Sequence, residues 1–96
     1  MKAALSQSAQ RELSDILLHI REKDPIAARK LRKEFSRSFS LIAFQPGIGT
    51  LGVGGETRET FVRGNYRIVY RVEDDFLSVV RVIHTARQWP PSSTDQ

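Results

Sequence analysis

The chain is predicted to fold as one α+β domain, a two-helix hairpin packed on a twisted, mainly antiparallel four-stranded sheet in the order β-α-α-β-β-β. Three observations carry this. Apolar residues recur at helical spacing from Ala9 to Ile42. From Thr57 to His84 the period changes to two. Between the two halves lies a stretch with five glycines from Pro46 to Gly55, too many for an ordered helix or a central strand. Ninety-six residues can bury one modest core and no more.

Residues 2–6 are short and partly apolar and read as a first strand. Ser6 and Ser8 are both suited to cap the following helix, because a seryl oxygen can accept from an orphan N–H of the first turn. Ala9, Leu13, Ile16, Leu17 and Ile20 then form one apolar stripe, placing a helix over 8–23. Asp24-Pro25 marks a junction: the carboxylate caps a new helix, and proline fits its first position. Ala28, Leu31, Phe35, Phe39 and Ile42 continue a second stripe over 25–44. So short a link predicts an antiparallel pair. Pro46 ends the second helix, and the glycines after it read as a flexible connection. No Gly-Lys-Ser/Thr follows them, so they lack the pattern of a phosphate-binding loop.

Strands are expected at 57–63, 66–72 and 77–84. Gly64-Asn65 supplies a turn that tolerates positive φ, and Glu73-Asp74-Asp75 supplies the next. In the middle strand Tyr66, Ile68, Tyr70 and Val72 face one way, and Arg67, Val69 and Arg71 the other. Such a meander has an apolar face that only the two helices can cover. The predicted core includes Leu13, Ile16, Leu17, Leu31, Phe35, Ile42, Ile68, Tyr70, Val79 and Val82. Residues 90–96, Pro-Pro-Ser-Ser-Thr-Asp-Gln, read as a loose, flexible tail.

Composition excludes several functions. With no cysteine there is no disulfide framework, thiolate zinc site or cysteine nucleophile. Apolar runs reach only four residues, as in Leu41 to Phe44, so no membrane span is expected. The N-terminus lacks a charged-then-apolar leader pattern, which reads as cytoplasmic. The two histidines lie in different elements and no metal-ligand cluster is visible, so no metal or cofactor is expected. The net charge of +4 permits an anionic partner. Its distribution says more. Residues 25–45 hold Arg29, Lys30, Arg32, Lys33 and Arg37 against Glu34 alone, and residues 57–72 hold Arg58, Arg63, Arg67 and Arg71 against Glu59 alone. Arginine presents a planar fork suited to phosphate or carboxylate; the plainer reading is a solvated, salt-bridged surface.

His19 sits beside the first stripe and reads as an edge packing residue. His84 ends the last strand. Histidine as a residue type suits a general acid or base near neutral pH; the plainer reading is a ring bonded to backbone at the strand's end. Arg67 and Arg71 share a strand face. Whether Arg81 joins them depends on register: a four-residue loop opposes it to Ile68, and a shift of one residue opposes it to Arg67. Trp89 reads either as a stacking platform for a base or as a lid over the core edge.

The run from Tyr66 through Asp75, then Val79-Val80-Arg81-Val82-Ile83-His84, then Arg87, resembles the C-terminal signature of the RelE/ParE toxin superfamily. Ala9 with Leu13, Pro25 with Ala28, Pro46-Gly47-Ile48-Gly49 and Arg58-Glu59 fall in that family's order. The resemblance covers about residues 3–89 and implies one toxin domain over 1–89. It also implies the toxin half of a bacterial type II toxin–antitoxin pair, bound to a cognate antitoxin in a hetero-oligomer. RelE-like members are ribosome-dependent endoribonucleases acting on mRNA; ParE-like members poison DNA gyrase. On the first alternative the resemblance points to Arg67, Arg81, His84 and Arg87 as the catalytic set. The ending favours the second: His84 is followed by Thr85 and Ala86, no tyrosine follows Tyr70, and His84 to Arg87 makes a His-x-x-Arg ending like that of the ParE branch. Arg29, Arg32, Lys33, Arg37, Arg58 and Arg71 are then expected to form the antitoxin-binding or anionic-partner surface. A family member without toxicity, serving only to bind its antitoxin, is the third alternative.

Overall fold

The structure, a computed structural model, describes residues 1–85. Its elements are β1 (Lys2–Leu5), α1 (Gln7–Arg21), α2 (Pro25–Phe44), a single 3-10 turn (Pro46–Ile48), β2 (Thr50–Leu51), β3 (Arg58–Val62), β4 (Tyr66–Val72) and β5 (Phe76–His84). The sheet has five strands, in the order β1-β5-β4-β3-β2, rather than the four expected. β1 runs parallel to β5, and the other neighbours are antiparallel.

The helix starts follow from local chemistry. Ser6, not Ser8, caps α1: its Oγ accepts from the Ala9 N–H at 3.0 Å and donates to the Val80 carbonyl at 2.8 Å. Asp24 caps α2, its Oδ1 accepting from the Ala27 N–H at 3.0 Å, with Pro25 in the first helical position. Each cap of this kind stabilises a helix by about 1 kcal/mol.

The fifth strand arises from the glycine-rich stretch expected to be a flexible connection. The buried Tyr70 hydroxyl donates to the Pro46 carbonyl at 2.7 Å and accepts from the Gly49 N–H at 2.9 Å. Arg58 Nη1 donates to the Gly49 carbonyl at 2.8 Å. These bonds bring Thr50 and Leu51 alongside Glu59 and Arg58. Gly49 is required by close approach, since a Cβ there would lie 2.5 Å from Tyr70 Oη and 2.8 Å from the Glu59 carbonyl oxygen. The β3–β4 turn places positive φ at Arg63 (56°) and Gly64 (71°), one residue earlier than Gly64-Asn65 implied.

A bulge governs the β4–β5 pair. Val69 opposes Arg81 while Tyr70 opposes Val79, leaving Val80 as the extra residue. Strict alternation would put Val79 and Val82 on opposite faces; the inserted residue lets both face the helices. Both are buried, with Leu31, Phe35, Ile42, Ile68 and Tyr70, and with Ala9, Val62 and Leu77. Leu13, Ile16 and Leu17 pack against this core but are only half-buried. The reason is placement: α1 packs on α2 and on the β1–β5 side of the sheet, so only its innermost residue, Ala9, is sealed completely.

Candidate functional site

The helices cover one face of the sheet; the other, which we call the open face because no helix packs on it, still buries Val69 and Ile83. Residues directly opposite across a strand pair share a face. Tyr66 packs its ring on Phe35 of α2 at a centroid distance of 5.6 Å, so Tyr66, Ile68 and Tyr70 face the helices. Arg67, Val69 and Arg71 face away. The register places Arg81 opposite Val69, neither of the two partners the sequence offered, and therefore on the open face with Arg67 and Arg71.

Two of these three arginines are engaged within the chain. Arg67 holds its guanidinium 5.4 Å from the centre of the Phe61 ring, with Nε 3.6 Å from Glu59 Oε1. Arg81 binds Glu12 of α1: Nε donates to Oε2 at 2.7 Å, and Nη2 lies 2.5 Å from the same oxygen. The other Glu12 oxygen accepts from the Val82 N–H at 2.9 Å. Glu12 thus closes the edge of β5 where β1 has ended, satisfying a side chain and a strand amide with one carboxylate. Arg71 is exposed.

His84 opposes Tyr66, and the two rings meet edge to face at 5.2 Å. It therefore lies on the helix-covered face, across the sheet from Arg67. There it lines a cleft of about 290 Å³ together with Glu12, Asp15, His19, Ile20 and Tyr66. His19 is exposed at this rim rather than packed. Arg87 and Trp89 lie outside the described residues, as does the expected tail at 90–96. Among the described residues, no cluster of three or more histidine, aspartate or glutamate side chains is arranged to hold a metal ion.

The six residues expected to form one anionic-partner surface divide between regions. Arg29, Arg32, Lys33 and Arg37 are exposed on α2. Arg58 clips the glycine loop from within, donating also to the Gly47 carbonyl at 3.4 Å, and Arg71 belongs to the open face of the sheet. A further arginine, Arg63, makes a two-pronged pair with Glu34: Nε to Oε1 at 2.6 Å and Nη2 to Oε2 at 2.7 Å. The hydrogen bonds from Arg63 hold the Glu34 carboxyl below the ordinary carboxylate range, and the charges of Arg63 and Arg37 add to this.

Sequence reasoning missed the acidic partners Glu12 and Glu59, and a groove on the flank of the hairpin. The signal for the groove was present. Ser14, Leu17, Leu18 and Arg21 stand at i, i+3, i+4 and i+7 on α1, and Pro25, Ala28, Arg29 and Arg32 repeat that spacing on α2. Together they line about 430 Å³.

A helical hairpin on a mixed five-stranded sheet defines a small α+β domain. The chain belongs to the family of ParE toxins of the type II toxin–antitoxin system parDE, whose model it matches over residues 3–89. A solved structure described as the chromosomal ParDE toxin–antitoxin system from P. aeruginosa superposes with a TM-score of 0.75 at 16% identity, covering 88% of this chain and 95% of that one. At that identity the likeness concerns the fold. No curated protein matches the chain in sequence. Among the described residues, no helix is long and apolar enough to cross a membrane.

Proposed function

We propose that this chain is the toxin of a type II toxin–antitoxin pair, that it acts in the cytoplasm by poisoning DNA gyrase, and that a cognate antitoxin neutralises it in a hetero-oligomer. Family membership supports the toxin assignment. The observation that carries the choice of target is the placement of Arg67 and His84 on opposite faces of the sheet. Ribonuclease chemistry must stabilise charge on a pentacoordinate phosphate and move protons at the 2′- and 5′-oxygens of the same bond. A guanidinium and an imidazole separated by the sheet do not converge on one phosphate. Holding gyrase in its cleavage complex needs a surface, not a convergent acid and base.

One observation favours the ribosome-dependent endoribonuclease as the second reading: Arg67, Arg71 and Arg81 share the sheet face away from the helices, and Arg71 is exposed there. The two are separated in cells. Induction of the chain should arrest growth, raise the SOS response and leave ribosome-bound mRNA uncut, and His84→Ala should retain the arrest. New mRNA ends by primer extension, lost in Arg67→Ala, would establish the ribonuclease instead. A tight antitoxin complex without growth arrest at confirmed soluble levels would reduce the chain to a binding module.

A further inference from the structure

We infer that the outward face of α2 is a contact surface for the phosphate backbone of duplex DNA. Helix geometry defines this face. At about 100° per residue, Arg29, Lys30, Lys33, Ser36, Arg37 and Ser40 fall in an arc of about 120° whose centre lies opposite the buried Leu31, Phe35 and Ile42. All six are exposed. No acidic or apolar side chain lies in that arc from Arg29 to Ser40. Its cations span about 12 Å of helix axis, over which one strand of duplex DNA presents roughly three or four phosphates. The serines among them are of a type that donates to phosphate oxygens.

The fold keeps these charges available. Among the described residues, none of Arg29, Lys30, Lys33 and Arg37 takes part in an ion pair. Glu34, the only acidic residue of α2, lies outside the arc. Arg63, at the end of β3, takes up its carboxylate with two hydrogen bonds. Arg37 acts on that carboxylate through charge alone. An arginine from another element thus neutralises the one anion that α2 could set against its own basic row.

The chemistry of the face selects among anionic partners. A lipid surface is held by the apolar side of an interfacial helix, and the apolar side of α2 is buried in the core. A folded protein partner is held by an interface centre from which charged residues are depleted. Here the exposed apolar side chains sit towards the helix ends, Ile26 at one and Leu41 and Phe44 at the other. They are more than about 20 Å apart at 1.5 Å per residue. A phosphate backbone requires only spaced cations and hydroxyl donors. Such contacts read no bases, so binding is independent of sequence. Choosing duplex DNA among phosphodiesters rests on the gyrase reading above, because gyrase acts on duplex DNA; the fit of the face to a phosphate backbone does not.

The test follows binding of the purified full chain to a labelled two-turn DNA duplex by fluorescence anisotropy over a series of salt concentrations. Binding should weaken steeply with salt and be equal for two unrelated sequences. Lys33→Gln/Arg37→Gln should bind at least about tenfold more weakly in low salt and lower the slope of log K against log salt by about 2. Lys2→Gln/Lys23→Gln removes the same charge from exposed positions elsewhere and should keep the wild-type slope. All four positions are exposed, and circular dichroism melts establish that both variants fold. Equal losses in the two variants would reduce the effect to net charge and overturn the inference. Tighter binding to phosphatidylglycerol vesicles or to single-stranded RNA, equal binding of polyglutamate, or no binding in low salt would overturn it as well. Trapping of gyrase cleavage complexes is scored separately on the wild-type chain. Its absence would remove the gyrase reading and leave a measured DNA contact standing; trapping by a chain that fails the duplex assay would do the reverse.

Discussion

The hairpin groove and the open face of the sheet are both rich in arginine, yet they use it in different ways. On the sheet, Arg81 spends its charge on Glu12, and Arg67 lies against Glu59 and the Phe61 ring. The first pair joins α1 to β5, 69 positions apart, and the second ties together the consecutive strands β3 and β4. Along the groove, Arg21, Arg29 and Arg32 are exposed and, among the described residues, form no ion pair. The same residue type therefore serves cohesion in one region and availability in the other. Counting basic residues along the chain does not distinguish them, because the difference lies in where the glutamates fold.

Substitutions can break this contrast, and the largest effect is expected where both regions share support. Phe35 is buried under α2 and touches Phe39 and Tyr66. Phe35→Ala should cost about 3–5 kcal/mol, measured by urea unfolding, and should weaken groove and sheet together. Next is Glu12→Ala, which deprives Arg81 and the Val82 amide of one carboxylate. A loss of about 1–3 kcal/mol is expected, since a partly buried donor is left without its acceptor. A neutral result would mean that the sheet arginines are not structural. Gly49→Ala should fall in a similar range, about 1–3 kcal/mol, because its methyl group meets Tyr70 Oη and backbone that cannot both yield.

Arg29→Ala and Arg32→Ala should lie within about 0.5 kcal/mol of wild type, and this near-zero value is the sharper half of the comparison. The exposed Glu34–Arg63 pair is expected to have the smallest effect and to depend on pH. Glu34 is held below its ordinary pKa in the fold, so the bridge contributes fully at neutral pH. That contribution is lost as pH falls through the folded-state pKa, below the unfolded value of 4.5. Melting wild type beside Glu34→Gln should show a small difference at pH 7 that shrinks as pH falls below 4.5; a difference that grew on acidification would contradict the pairing.

Much of the fold was legible because its signals are local. The period of the apolar residues, a serine cap offered at both Ser6 and Ser8, and the Asp24-Pro25 junction place α1 and α2 within a few residues of their observed ends. The strand from Tyr66 to Val72 falls where alternation put it. The rest depends on distant partners. β2 is two residues long and exists because Tyr70 and Arg58 grip the glycine loop, which no local pattern announces. The bulge at Val80 reconciles Val79 with Val82 and sets the register of Arg81, and a single inserted residue leaves no mark on a β-branched run. Glu12 and Arg81 are 69 positions apart, so their pairing follows from topology. His84 was legible as a strand end, but its face followed only once Tyr66 was known to oppose it. The groove row was hidden because Leu17 had already been assigned to the core stripe.

The target is tested most directly with gyrase itself. Purified chain, DNA gyrase, ATP and supercoiled plasmid can be incubated and the reaction stopped with detergent and protease. Trapped cleavage complexes then appear as linear DNA. The account predicts that linear DNA accumulates with the dose of the chain, and equally with His84→Ala. Plasmid left uncut at every dose by a folded chain that still arrests growth, alongside ribosome-bound mRNA cleaved by wild type but not by Arg67→Ala, would contradict it.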